Sequence, residues 1–313
     1  MIISASRRTD IPAFYSEWFF NRIQQGYLLV RNPMNIHEVS KISLLPDVVD
    51  CIVFWSKNPS KMVNRLQELR NYSYYFQFTI TGYGQKLEPN VPPTNRSIKT
   101  FIELSDIIGP SRVIWRYDPI VYNEKYDYTF HINNYEKIAR LLYGKTKRCV
   151  ISFVDLYKNI IRNMSPINVH NFTPEFIINL SSSLNNIANK YDIELTTCAE
   201  EIDLGKIGIS HGKCIDDKLI DEVFGIKLNI GKDENQRTEC GCVASIDIGA
   251  YNTCPHSCLY CYANYNLNIV RRNFASHNPN SPLLYGIIDK NDKIHERKVL
   301  SCRELRGSLF DKS

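Results

Sequence analysis

The chain reads as short apolar runs that each end in a polar, Gly- or Pro-containing loop and lead into a longer amphipathic stretch. Seven runs have strand-like length and β-branched or aromatic content: residues 2–6, 48–55, 74–81, 112–116, 148–154, 193–197 and 243–248. Between them, residues 13–26, 60–70, 96–108, 132–143 and 174–191 carry apolar positions at helical spacing. The runs are nearly continuous rather than alternating, as expected of strands buried on both faces. Strands alternating with helices predict an α/β fold of parallel βαβ units. The expected architecture is a complete or partial β/α barrel over residues 1–265, with the alternation lost in 266–313, read as a tail packed on it.

In a barrel or an open doubly wound sheet, the C-terminal ends of parallel strands share one rim, where ligands bind. That inference gathers Arg7, Arg8, Asp10, Lys57, Asn58, Tyr83, Arg116, Asp118, Asp155, Glu200 and several cysteines around one site. Arg7, Arg8, Lys57 and Arg116 would grip a carboxylate or phosphate, or else pair with Asp10 and Asp118. The polar and aromatic run Trp115-Arg116-Tyr117-Asp118-Pro119 favours the binding role. Gly82-Tyr83-Gly84 is too short for a phosphate loop and reads as a turn.

Charge changes this picture little. With 38 basic and 33 acidic residues the net charge is +5, which permits an anionic ligand or nucleic acid without demanding one. No strong basic stripe supports nucleic acid specifically. No apolar run approaches the ~18 residues of a membrane span. The first eight residues place their arginines after the apolar stretch, the reverse of a secretory signal, so a cytoplasmic protein without membrane contact is expected.

Cysteine changes the picture more. Ten cysteines in a reducing compartment point to metal or redox chemistry rather than disulfides. Cys51 and Cys149 lie inside apolar runs and read as small buried hydrophobes. The other eight fall late in the chain. Three form the run Cys254-Pro-His-Ser-Cys258-Leu-Tyr-Cys261. Thiolates at this spacing can hold three irons of a cubane 4Fe–4S cluster and leave the fourth iron open to a ligand. The alternative is zinc or coincidence. His256, inside the spacer, is expected to hydrogen-bond near the cluster rather than ligate it.

Four further cysteines, Cys198, Cys214, Cys240 and Cys242, suit an auxiliary 4Fe–4S cluster or a zinc ion, or are simply buried thiols. Cys198 ends one predicted strand and Cys242 starts another, which would separate them unless the excursion through residues 205–240 returns. His211 is a substitute ligand, and Glu200 and Glu201 are acid–base candidates for which surface exposure is the simpler reading.

The triplet, with Tyr260 just before its last cysteine, resembles the signature loop of radical S-adenosylmethionine (radical SAM) enzymes. Residues 247–264 are also similar to the cluster loops of DNA repair photolyases, including spore photoproduct lyase. The whole chain is similar to a bacterial family with a radical-SAM-like cysteine cluster at its C-terminal end. That similarity runs through residues 6–12, 54–59, 115–119 and 152–155 and covers most of 1–285.

The resemblance implies a 4Fe–4S cluster on Cys254, Cys258 and Cys261, S-adenosylmethionine as cofactor with Tyr260 against its adenine, and reductive cleavage to a 5′-deoxyadenosyl radical. It further implies an electron donor such as a flavodoxin or ferredoxin. The substrate would be a small anionic metabolite, a nucleotide or nucleic acid. In the superfamily the cluster loop follows the first barrel strand, whereas here it follows the last. A permuted order, with residues 243–248 beside residues 2–6, restores the comparison. The usual Gly-Gly-Glu segment is then replaced by Arg7, Arg8, Thr9 and Asp10, which would hold the cofactor's carboxylate and amine. The rival classes are a non-catalytic iron–sulfur or zinc protein and a nucleic-acid-binding module.

Overall fold

The computed structural model describes residues 1–158 and 160–304. Its centre is an eight-stranded sheet. In chain order the strands are β1 (Ile2–Ala5), β4 (Cys51–Ser56), β5 (Tyr74–Thr79), β6 (Val113–Ile120), β7 (Arg148–Phe153), β8 (Glu194–Thr197), β9 (Ser210–His211) and β10 (Ile246–Asp247). A separate hairpin, β2 (Tyr27–Asn32) and β3 (Asn35–Ser43), and a late strand, β11 (Lys293–Glu296), form a small second sheet.

All seven expected runs supply strands of the large sheet. Every pairing in it is parallel, in the spatial order β10-β1-β4-β5-β6-β7-β8-β9. The last run lies beside the first, with Ile3 opposite Ile246 and Ser4 opposite Asp247. This is the neighbour relation expected from the sequence. The ladder ends at β9 and β10, and among the described residues no strand pairing joins those two ends. One backbone bond, from Val243 N–H to Ile215 O at 3.2 Å, ties the segments that follow β9 and precede β10.

Side-chain alternation splits the core. Ile3, Phe54, Phe76, Trp115, Ile151 and Leu195 face the helices and join the larger cluster of buried residues. Ile2, Val53, Tyr75, Ile114 and Val150 face the other way, onto Cys214, Ile215, Cys242, Val243 and the helix Asp217–Phe224. The sheet therefore buries both faces, the physical reason its strands read as continuous apolar runs. The helices Ser16–Gln25, Thr94–Ile108, Tyr128–Leu141 and Pro174–Lys190 lie where helical spacing indicated. Asp127 and Thr173 cap two of them by accepting from Phe130 N–H and Phe176 N–H.

Five expectations change. Residues 60–70 break into a short helix, Ser60–Val63, and a 3-10 turn, Leu66–Leu69. Residues 243–248 yield only the two-residue β10, because Cys242 and Val243 bond to residues 214, 215 and 232 rather than to β1. Residues 112–116 extend to Ile120, so the strand carries Asp118 into the rim. The β2–β3 hairpin falls in a stretch to which no element was assigned. The stretch after 266, to which no element was assigned, carries a helix, Leu267–Ala275, and β11, which runs parallel to β3. The remainder of the expected tail, 305–313, lies outside the described residues. Among the described residues, no helix is long and apolar enough to cross a membrane.

Candidate functional site

The C-terminal ends of the strands surround a cavity of about 560 Å³, within the usual size of ligand sites. Its wall takes Ser6 to Asp10 after β1, Trp55 to Lys57 at the end of β4, Arg116 and Asp118 on β6, Ser152 to Asp155 at the end of β7, and Cys198 after β8. All seven cysteines expected to bind metal line it. So do Arg7, Arg8, Thr9, Asp10, Lys57, Arg116, Asp118, Asp155 and Tyr260.

Asn58 and Tyr83 do not belong to this wall. The Asn58 N–H donates to Ser56 Oγ at 2.9 Å, closing the turn after β4. The Tyr83 hydroxyl donates to Pro119 O and accepts from Val121 N–H, both at 2.8 Å, and its ring packs on Tyr126. Glu201 and His211 are exposed, and Glu200 also stands outside the wall. Glu200 is nevertheless not a surface residue: it accepts from Phe153 N–H at 2.9 Å, and burial pushes its carboxyl up to about 7.

The cysteine loop leaves β10 along a path set by close packing. Asp247 accepts from Ser4 Oγ at 2.7 Å, Ser6 Oγ at 2.6 Å, Arg7 N–H at 2.8 Å and Gly249 N–H at 3.0 Å. One carboxylate thus fastens the exit of β1 to the exit of β10. A Cβ on Gly249 would stand 2.1 Å from Ser6 Oγ, so only glycine lets the two exits touch. Farther along, Asn264 and Cys254 bond across the loop, with Asn264 Nδ2 donating to Cys254 O at 2.6 Å.

Asp10 seats the loop from the other side. Its carboxylate accepts from Ser56 Oγ and Lys57 N–H, each at 2.8 Å, and from Ala13 N–H at 2.9 Å. His256 Nε2 completes the set at 2.9 Å, and its Nδ1 lies 3.2 Å from Asn90 O. His256 is therefore a strut of the loop, in keeping with the hydrogen-bonding role its place in the spacer indicated. Beside it, Glu88 accepts from Lys57 Nζ at 2.8 Å, from Thr81 Oγ1 at 2.6 Å and from the Tyr260 hydroxyl. Lys57 Nζ lies over the Tyr260 ring, 5.5 Å from its centroid. Glu88 sat in a stretch that read as a Pro-rich loop, and Asp247 at a strand end without a distinctive neighbour, so neither stood out in the sequence.

Two cations carry less internal pairing. Arg7 lies 5.6 Å over the Trp55 ring and 3.9 Å from Asp233, and its Nη2 is buried without a hydrogen-bond partner among the described residues. Burial opposes its charge, but Cys242, Cys214 and Asp247 nearby hold its pKa above the usual value. Thr9 Oγ1 is likewise buried and unpartnered among those residues. Arg8 lies over the Tyr251 ring at 5.1 Å. By contrast, Arg116 is engaged by Asp118 and by Cys214 Sγ, and Arg237 by Asp155 at 2.5 Å. Buried polar groups without partners are rare, and these two belong to residues that line the same wall.

The donor chemistry separates into two sets. Cys254, Cys258 and Cys261 share one loop, and burial pushes each thiol upward, so metal binding would have to displace protons. Cys198, Cys214, Cys240 and Cys242 meet in a second group; the excursion does return, and Cys242 reaches Cys214 through the segment ahead of β10. As the side chains stand, no three His, Cys, Asp or Glu among the described residues converge on one ion position. The triplet supplies three thiols, the donor type that a cluster takes, and all three line the cavity.

Fold and site together define an α/β protein with a parallel sheet and a cysteine-lined cavity at its C-terminal rim. The chain belongs to the family described as a domain of unknown function, DUF1848, whose model matches residues 2–263. No curated protein and no solved structure matches it.

Proposed function

We propose that the chain is a radical SAM-type iron–sulfur enzyme acting on a small anionic or nucleotide substrate. The observation that carries this reading is the placement of Cys254, Cys258 and Cys261, on one loop leaving β10 and on the wall of the cavity that the other strand ends surround. Cys254, Cys258 and Cys261 would hold a 4Fe–4S cluster, leaving one iron without a protein thiolate. When bound, the cluster and S-adenosylmethionine supply a 5′-deoxyadenosyl radical for hydrogen abstraction. In this reading the eight-stranded sheet curls as a partial barrel, with residues 214–243 filling the gap between β9 and β10.

The chain's own residues have three tasks. Asp10, through His256, and Asp247, through Gly249, keep the cysteine loop against the exit of β1. Arg7 Nη2 and Thr9 Oγ1 offer unspent donors to a carboxylate, taking the place of the Gly-Gly-Glu segment. The aromatic groups Trp55, Tyr251 and Tyr260 line the same wall and exclude water from it. Asp10 itself is spent on four internal donors, which favours Arg7 and Thr9 as the ligand-facing pair.

The test is anaerobic reconstitution with iron and sulfide, reduction in the presence of S-adenosylmethionine, and assay for 5′-deoxyadenosine. The reading expects production in the intact chain and none in Cys258→Ala. Iron retained without cofactor cleavage would favour a non-catalytic iron–sulfur protein.

A further inference from the structure

The second group of cysteines lies apart from the loop that carries the proposed chemistry, and its members come from three places in the chain. Cys198 follows β8 directly, Cys214 lies three residues beyond β9, and Cys240 and Cys242 precede β10. They lie together: Cys198 Sγ is 3.3 Å from Cys214 Sγ, the Cys214 N–H donates to Cys242 Sγ at 3.2 Å, and Cys240 stands two residues before Cys242 and lines the same cavity. We propose that these four thiols form a binding site for a single thiophilic metal ion, zinc or iron, that staples the two ends of the parallel sheet.

Three observations carry this. The first is spacing. Around one tetrahedral ion with metal–sulfur bonds of about 2.3 Å, neighbouring sulfurs lie about 3.8 Å apart. A 4Fe–4S cluster needs its cysteine sulfurs much farther from one another. The 3.3 Å pair falls near the edge of the single-ion tetrahedron. The four form an open chain rather than a closed tetrahedron, and filling the site would bring the end members, Cys198 and Cys240, round a common centre.

The second observation is the supply of donors to sulfur. Cys242 Sγ accepts from two backbone N–H groups, Cys214 at 3.2 Å and Ile215 at 3.4 Å. Arg116 Nη1 donates to Cys214 Sγ at 2.7 Å. Four thiolates around a divalent ion carry a net charge of minus two. A guanidinium and two amides are the kind of outer shell that tunes such a centre.

The third observation is location. Hydrogen bonding leaves β9 and β10 unjoined, and the bond from Val243 N–H to Ile215 O is a slender tie between the segments beside them. A Cβ on Gly212 would come within 2.6 Å of Thr196 Oγ1 and 3.0 Å of Thr197 O, so the chain is pressed against β8 just before Cys214. A metal here would cross-link the sequence after β8, the loop after β9 and the entry to β10. Binding would release the thiol protons to solvent as the metal–sulfur bonds form.

The experiment uses the full chain with Cys254→Ala, Cys258→Ala and Cys261→Ala, so that the loop cannot contribute. Titration with Co²⁺ and then Zn²⁺ under reducing conditions is expected to give one ion per chain. Bound cobalt should show sulfur-to-metal charge transfer and tetrahedral d–d bands. Adding Cys242→Ser should reduce binding at least tenfold, whereas Cys302→Ser should leave it unchanged.

Should the triple variant not fold, alkylation of the intact chain with and without Zn²⁺, read by mass spectrometry, gives the same information residue by residue. Cys198, Cys214, Cys240 and Cys242 should be protected together at least tenfold by one equivalent. Absence of binding with all thiols reduced, nitrogen or oxygen ligation, or a stable Cys198–Cys214 disulfide would overturn the proposal. Several irons with inorganic sulfide at this group would also overturn it. None of these results bears on 5′-deoxyadenosine formation, so this site and the cofactor reading can fail separately.

Discussion

His256 Nε2 lies 2.9 Å from Asp10 Oδ2, joining residues 246 positions apart. Asp10 also caps the first helical turn at Ile11–Phe14 and ties down the exit of β4. The cysteine loop is thus fastened to two strand exits by a single buried carboxylate. Replacing Asp10 by alanine strands several buried donors, each costing roughly 1–3 kcal/mol when unsatisfied. Asp10→Ala should lower the urea-unfolding free energy by about 3 kcal/mol, with Asn recovering part of it. A loss below about 1 kcal/mol would show that the contact does not hold the loop.

Gly249 gives a second, steric test of the same junction. Alanine there would place a methyl group inside contact distance of Ser6. Overpacking of this kind costs typically 1–3 kcal/mol. Gly249→Ala should therefore destabilise the chain by about 2 kcal/mol, while Ser6→Gly in the same chain should restore much of it. Independent, additive losses in the two variants would contradict the close approach.

The rim cations can be told apart by binding. Arg7 lines the cavity and keeps a buried Nη2 without a hydrogen-bond partner among the described residues, whereas Arg116 is occupied by Asp118 and Cys214. A charge-assisted hydrogen bond contributes about 1.5–3 kcal/mol, so Arg7→Ala should weaken S-adenosylmethionine binding roughly 10- to 100-fold. Equilibrium dialysis with reconstituted protein reads this directly. Unchanged affinity would remove Arg7 from the cofactor's carboxylate.

Two buried groups give opposing pH dependences. His131, between Tyr117 and Val121 O, is lowered to about 4 by burial. Between about pH 4 and 6.5 the unfolded chain binds this proton and the folded chain does not, so stability rises with pH, by up to about 3 kcal/mol. Glu200 is raised by burial to about 7, so from pH 4.5 to 7 the folded chain holds a proton that the unfolded chain releases. Its contribution falls as pH rises. Unfolding measured across pH 4–7 should become steeper in Glu200→Gln and shallower, or reversed, in His131→Asn. Parallel curves for all three chains would refute both assignments.

The parallel sheet was legible because its strands are buried on both faces, leaving continuous apolar runs such as Cys51–Ser56 and Tyr74–Thr79. The β2–β3 hairpin was not, because β3 opens with exposed residues and its inward positions, Val39 and Ile42, are few. Rim convergence followed from parallel topology alone, and it carried Arg7, Lys57, Asp118 and the cysteines to one cavity. It could not separate residues that line the cavity from neighbours that stand beside it, such as Asn58 and Tyr83. Residue type also concealed roles: Asp10, Asp247 and Glu88 are all acidic, yet each is consumed by internal donors. Such roles depend on contacts between distant segments.

The proposed function rests on the cysteine loop that leaves β10 and lines the cavity. Its most direct test is 5′-deoxyadenosine formation by the anaerobically reconstituted, reduced chain, with Cys258→Ala measured beside it. The account predicts production that depends on S-adenosylmethionine and reductant and disappears in the variant. Iron bound in stoichiometric amount with no 5′-deoxyadenosine, or equal production by Cys258→Ala, would contradict it.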